Sequence, residues 1–70
     1  MQEGELHVNL LEHYIKRVIN VRPIPQVGWM KHSYVEVTLI ANCYGDEREY
    51  TRWFGEKEWE TVKQQGYFMA

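Results

Sequence analysis

The stretch VEVTLIANCYGDEREYTRWF, residues 35–54, decides the fold of this chain. Its first part belongs to a run, residues 33–43, in which apolar side chains occupy every second position and many residues are β-branched. That period of two predicts a half-buried strand. Residues 44–47, YGDE, then offer glycine and aspartate where a hairpin turn needs unusual backbone angles. Residues 48–54 form the return strand, so the stretch predicts a β-hairpin.

The register of this hairpin has two alternatives, and a one-residue slip moves every side chain to the opposite face of the sheet. A two-residue loop at positions 45–46 places Arg52 opposite Leu39. A three-residue loop with a bulge instead sets Trp53 opposite Leu39. We favour the bulged register, because it buries the tryptophan rather than the arginine.

Residues 54–68 predict a helix with both ends specified. Gly55 is a permissible N-cap, and glutamates follow it near the positive end of the helix dipole. Phe54 and Trp59 have the spacing of a hydrophobic staple. Gly66 suits the left-handed position that ends many helices. The helix is short and presents little apolar surface, so its stability must come mainly from docking on the sheet.

The first third of the chain fits two kinds of element. Apolar residues recur at helical spacing over residues 10–19, and Asn9 with Glu12 resembles a capping box. Residues 14–22 are also rich in β-branched side chains, which are typical of strands. We favour the strand over residues 14–22 and keep the helix over residues 10–19 as the alternative.

Two prolines, at positions 23 and 25, end either element, because each removes a backbone donor and pushes its neighbour towards extended geometry. Residues 26–32 are then a loop. The chain therefore predicts one α+β domain over residues 1–70: a three-stranded antiparallel β-meander with a C-terminal α-helix packed on one face. The other sheet face stays open, and on the bulged register it carries Thr38, Ile40, Arg52 and Phe54, with Tyr50 nearby.

Length and charge limit the kinds of function to consider. A domain of 70 residues buries only about 60% of its unfolded surface, so packing, self-association or a partner must add stability. Cys43 is the only cysteine, which excludes an internal disulfide and favours the reducing cytoplasm. A net charge of −2 is no broad basic footprint for duplex nucleic acid. We also expect no signal peptide and no membrane contact.

No sequence motif indicates chemistry. The candidate soft metal ligands are His7, His13, His32 and Cys43, and no pair of them has a zinc spacing. A nucleophilic Cys43 would need a base and an oxyanion hole, neither of which the sequence indicates. We therefore expect no enzyme, no catalytic residue, no metal site and no cofactor.

Aromatic residues are more numerous than one small core requires, since nine of the ten lie between Trp29 and Phe68. We assign Phe54, Trp53 and Trp59 to the core. Tryptophan, tyrosine and arginine are enriched at interface hot spots, so the remainder predicts a contact surface. The expected partner-binding residues are Trp29, Tyr34, Tyr44, Arg48, Tyr50 and Arg52. For Trp29, a lid over the core or a sheet edge is an equal alternative.

Two other groups of side chains suggest functions that compete with an aromatic contact surface. Arg48, Tyr50 and Arg52 share one strand face and could hold single-stranded nucleic acid by stacking and phosphate contact. Four other basic residues could extend that surface: Lys16, Arg17, Arg22 and Lys31. The same pattern also fits an ordinary solvent-facing strand. Carboxylates near residues 46–49 and 56–60 could mimic nucleic-acid phosphates, but the net charge is too modest for a strong mimic.

The hairpin VEVTLIANCYGDEREYTRWF and the ending EKEWETVKQQGYFMA resemble small accessory proteins encoded by bacteriophages and prophages of low-GC bacteria. The resemblance covers the C-terminal half and carries over no site residue. It implies a non-enzymatic protein that binds a host or phage target in the host cytoplasm, for example an inhibitor of defence. With the aromatic surplus, this favours a protein that modulates a larger protein by steric occlusion. A single-stranded nucleic-acid module in replication or transcription is the alternative.

Overall fold

A computed structural model describes residues 10–70 of the chain. Its elements, in chain order, are β1 (Glu12–Ile24), β2 (Tyr34–Cys43), β3 (Asp46–Gly55), α1 (Glu56–Gln65) and β4 (Tyr67–Met69). The strands form one curled antiparallel sheet in the order β3-β2-β1-β4. The predicted α+β class is confirmed, but the predicted meander of three strands is one strand short.

The fourth strand comes from the end of the chain. We predicted a helix through Phe68, but α1 ends at Gln65 and β4 follows. Phe68 then pairs with His13 of β1 and lies buried in the core. Gly66 allows this change of direction, because its φ of 85° is left-handed and costs glycine little.

The strand prediction for the first third is confirmed. β1 runs from Glu12 to Ile24, so the helical alternative over residues 10–19 is wrong. Its capping box required Asn9, which lies outside the described residues. β1 also continues through Pro23, which pairs with Val35. A proline fits here because sheets accept proline at edges and irregular positions.

The β2–β3 turn differs from both predicted registers. Cys43 pairs with Asp46, so Tyr44 and Gly45 are the two turn residues. Their φ values are 51° and 88°, as a type I′ hairpin turn requires. The backbone N–H of Gly45 donates to the side-chain oxygen of Asn42 at 3.0 Å. The sequence predicts the unusual backbone angles at glycine and aspartate, whereas Tyr44 and Gly45 adopt them.

The observed register decides which side chains of β3 face inwards. Tyr50 lies opposite Leu39, and Phe54 lies opposite Val35. Arg52 is therefore on the core face, whereas Trp53 is on the outer face and 53% exposed. The predictions that Trp53 is buried and that Arg52 and Phe54 lie on the open face are wrong.

The open sheet face, called the outer face below, does carry the predicted Thr38 and Ile40. Their neighbours on β3 are Thr51 and Glu49. The hydroxyl groups of Thr38 and Thr51 lie 3.1 Å apart. Side chains on the outer face therefore contact their neighbours on adjacent strands, but no other element of the described chain covers them.

The helix packs on the core face, as predicted. Gly55 is its N-cap, and the Phe54 and Trp59 rings stack with centroids 5.5 Å apart, which confirms the staple. The core consists of Val35, Val37, Leu39, Ala41, Phe54, Trp59, Val62 and Phe68. Every second residue of β2 thus points into the core beneath the helix, which explains the alternation of apolar residues in the sequence.

Candidate partner-binding surface

Trp29 stands on a tight turn between β1 and β2. The backbone N–H of Met30 donates to the carbonyl of Val27 at 2.9 Å, and the side chain of Gln26 donates to the Met30 carbonyl at 3.3 Å. Met30 is 7% exposed, whereas Trp29 is 78% exposed. The methionine anchors the turn and the indole points to solvent, so the lid alternative for Trp29 is wrong.

A polar and aromatic cluster lies on the outer face beside this loop. The Glu36 carboxylate accepts two bonds from Arg22, at 2.7 and 3.1 Å, and one from Trp53 Nε1 at 3.3 Å. These donors, Arg22 first and Trp53 second, hold the pKa of Glu36 below its usual value. The Tyr34 and Trp53 rings lie 6.4 Å apart. Glu36 therefore fixes the orientation of both the arginine and the indole.

These side chains belong to one end of the sheet. β1 finishes there, β2 begins with Tyr34, and Trp53 precedes the end of β3. We call this surface the tryptophan end; its residues are Arg22, Trp29, Tyr34, Glu36 and Trp53. A cleft of about 590 Å³ between residues 31–34 and the start of α1 borders it at Tyr34. The surface combines exposed rings, one fixed ion pair and a concave margin.

Arg48, Tyr50 and Arg52 share one face of β3, as predicted, but that face is the core face. The Arg52 guanidinium lies 5.0 Å from the centroid of the Phe68 ring. The Tyr50 ring meets those of His13 and Phe68, with centroids 5.4 and 5.9 Å apart. Both neighbouring rings, His13 and Phe68, are buried, so Tyr50 and Arg52 serve packing.

Arg48 is exposed but occupied locally. Its Nε lies 2.9 Å from Asp46 Oδ2, and this hydrogen bond raises the pKa of the guanidinium. The contact connects the first residues of β3 beside the hairpin turn. Arg48 thus lies at the end of the sheet that carries the β2–β3 turn, opposite the tryptophan end.

Tyr44 is 84% exposed at the hairpin turn, at the end of the sheet opposite Trp29. Near it, the Tyr14 and Tyr67 rings lie 5.4 Å apart on the outer face. The Tyr14 hydroxyl donates to Glu12, and this bond raises the pKa of Tyr14. The predicted site residues are therefore divided: Trp29 and Tyr34 lie at one end of the sheet, Tyr44 and Arg48 at the other, and Tyr50 and Arg52 on the core face.

The sequence reasoning missed Trp53, Glu36 and Arg22. The signal for Trp53 was available, because the rejected two-residue loop at positions 45–46 has the same inside–outside parity as the observed turn. Glu36 and Arg22 carried no local signal, since they are paired across two strands whose register was unknown.

Potential metal ligands do not cluster among the residues that the structure describes. Within positions 10–70, no three His, Cys, Asp or Glu side chains are placed to share a metal ion. Buried His13 donates from Nδ1 to the Leu11 carbonyl at 2.9 Å and stacks on Phe68. His7 lies outside the described residues. No helix in the described part is long and apolar enough to cross a membrane.

No protein-family model matches this chain, and neither a curated protein nor a solved structure is significantly similar to it. The geometry of the tryptophan end is therefore the evidence for its role.

Proposed function

We propose that this chain is a small non-enzymatic binding protein that attaches to a larger protein and modulates it by steric occlusion. The tryptophan end is the attachment surface. The observation that carries the proposal is the display of Trp29, which is 78% exposed beside a methionine that is 7% exposed. An ordered turn holds this large apolar side chain in water. A partner that covers it stabilises the complex by about 25 cal/mol per Å² of apolar surface buried.

The rest of the tryptophan end supports the same function. Trp53 and Arg22 are both bonded to Glu36 before any partner arrives. Side chains that are already oriented lose less conformational entropy on binding. Tryptophan, tyrosine and arginine beside a polar rim are also the composition of interface hot spots.

A phage or prophage origin, suggested by the resemblance of the C-terminal half, is part of this proposal. It places the partner in the cytoplasm of a bacterial host, where the chain would act as a defence inhibitor or host-takeover factor. The exposed indole of Trp29 and the Trp53 ring held by Glu36 support a protein partner whatever the origin of the chain.

The nucleic-acid alternative has less support. It depends on Arg48, Tyr50 and Arg52. Tyr50 and Arg52 pack against aromatic rings inside the fold, and exposed Arg48 is paired with Asp46 at the surface. Stacking of a base needs a free ring face, and phosphate contact needs a free guanidinium. The acidic residues Glu36 and Glu49 on the outer face would also repel phosphates.

The test is an affinity capture from host cytosol with three baits: the wild-type chain, Trp29→Ala and Tyr44→Ala. Tyr44 is the matched control because it is a comparably exposed aromatic at the other end of the sheet. We expect quantitative mass spectrometry to find a protein that wild type and Tyr44→Ala retain and Trp29→Ala loses. Equal retention by all three baits contradicts the proposal. Retention that nuclease abolishes and salt weakens steeply favours nucleic acid.

A further inference from the structure

Among the described residues 10–70, no strand lies beside one edge of β1 along most of its length. β2 covers its other edge from Tyr14 to Ile24, whereas β4 pairs only from Glu12 to Tyr14. One more bond, from the Ile15 N–H to the Gly66 carbonyl at 2.9 Å, ends the contact. Residues 16–24, called the free edge below, have no strand neighbour on this side within residues 10–70. Unpaired backbone groups of an edge strand are a template for another strand.

The free edge is also apolar on the core face. Val18 and Val21 lie opposite the fully buried Leu39 and Val37, yet they are 42% and 43% exposed. The helix packs mainly on β2, β3 and β4 and leaves this part of β1 uncovered. A groove of about 520 Å³ lies between α1 and the free edge. It is lined by Val21, Val35 and Trp59 and by two acidic and two basic side chains of α1, Glu56, Lys57, Glu60 and Lys63. A strand added at the free edge would point alternate side chains into this groove.

The charge of the free edge is positive. Lys16, Arg17 and Arg22 are exposed there, and no carboxylate occurs from His13 to Ile24. Arg22 is paired with Glu36, whereas no carboxylate in the described part of the chain pairs with Lys16 or Arg17. Opposite charges on neighbouring strands are favourable and like charges are unfavourable. The occupant that complements this edge is therefore acidic.

A second copy of the chain fits the free edge poorly. Pairing β1 with itself collects the same basic side chains from both copies along one seam, and the register centred on Ile19 sets Lys16 opposite Arg22. The bulges after Ile15 and Val18 affect any added strand alike, so it is the charge of the edge that disfavours a second copy.

We propose that the free edge binds an extended acidic segment of a partner protein by strand addition. Main-chain bonds to residues 16–24, where Pro23 has no N–H to donate, supply affinity, apolar side chains enter the groove beside Val21, and carboxylates face Lys16 and Arg17. This surface shares Arg22 with the tryptophan end but does not include Trp29, and the inference holds whether or not Trp29 binds a partner.

The probe is a synthetic peptide, EVEVEVEVE, as long as the free edge, titrated into the isotope-labelled full chain and followed by NMR. We expect amide shifts concentrated at residues 16–24. The Lys16→Glu/Arg17→Glu variant is expected to weaken binding about tenfold. The matched control, Lys31→Glu/Arg48→Glu, makes the same charge change away from the edge and keeps wild-type affinity. Circular dichroism checks that both variants are folded.

Several results would overturn the inference. The peptide KVKVKVKVK must bind more weakly, and a version with proline at its central positions must lose binding, because proline cannot donate to the ladder. Equal affinity for the basic peptide, shifts at β3 instead, or no shifts up to about 1 mM peptide each reject strand addition by an acidic segment. Concentration-dependent shifts at residues 16–24 without peptide would assign the edge to a second copy. Trp29→Ala is expected to leave peptide affinity unchanged, which separates this test from the proposed function.

Discussion

Replacement of Tyr44 by asparagine should stabilise the protein. Tyr44 has a φ of 51° in the first position of the two-residue turn, and its side chain is 84% exposed. A left-handed conformation costs an ordinary L-residue roughly 1 kcal/mol, and asparagine tolerates it far better. Asn-Gly is also the pair that type I′ turns favour most strongly. Because little burial is lost, we expect a gain of about 1 kcal/mol, or a rise in Tm of about 4–8 °C for a domain of this size.

The assay is thermal and urea unfolding followed by circular dichroism, with Tyr44→Ala as the control. Alanine keeps the left-handed cost and removes the ring, so its stability should lie within about 0.5 kcal/mol of wild type. The comparison isolates backbone geometry from loss of the aromatic ring.

The prediction also discriminates between hairpin registers. In a loop at residues 45–46, Tyr44 would be a strand residue, and asparagine would be a poor replacement there. Destabilisation by Tyr44→Asn, with Tyr44→Ala equally destabilised, would therefore refute the Tyr44-Gly45 turn. It would also refute the outward placement of Trp53 that depends on the register.

Four further substitutions, one of them a matched control, test other parts of the fold. Leu39→Ala removes a fully buried side chain from the core and should cost about 2–5 kcal/mol in urea unfolding. Gly66→Ala places a Cβ at a φ of 85° and should cost about 1 kcal/mol, whereas Gly28→Ala meets no neighbour and should be nearly neutral. Glu36→Gln should lower stability at neutral pH, because Arg22 and Trp53 depress the pKa of the folded carboxyl. This contribution is present above the unfolded pKa and disappears as pH falls through the folded pKa, so the difference from wild type should vanish in acid.

The elements that could be predicted are those with a local signal. The alternation around Val37 predicted β2, and the staple of Phe54 on Trp59 predicted the start of the helix. β4 was missed because three residues carry no usable periodicity, and its pairing with β1 joins distant parts of the chain. Local composition describes turns and caps, whereas strand order is a long-range property.

The candidate site was harder to predict than the fold. Trp29 and Met30 are adjacent apolar residues in one loop, and only the structure shows that Met30 is buried and Trp29 exposed. Trp53 was assigned to the core because a tryptophan on a strand favours burial, and the register reversed that assignment. Arg52 took the inward position, where the Phe68 ring accommodates its guanidinium.

Arg22 has two roles in the proposed functions that make them interdependent. Its backbone belongs to the free edge, and its guanidinium is bound by the carboxylate that also holds Trp53. A ligand that draws Arg22 towards its own carboxylates would loosen Glu36 and with it the indole. By linkage, a partner bound at Trp53 would weaken the affinity for the acidic segment by the same factor as the segment weakens the affinity for that partner. One ion pair would thus connect two binding events, and Glu36→Gln should reduce that coupling.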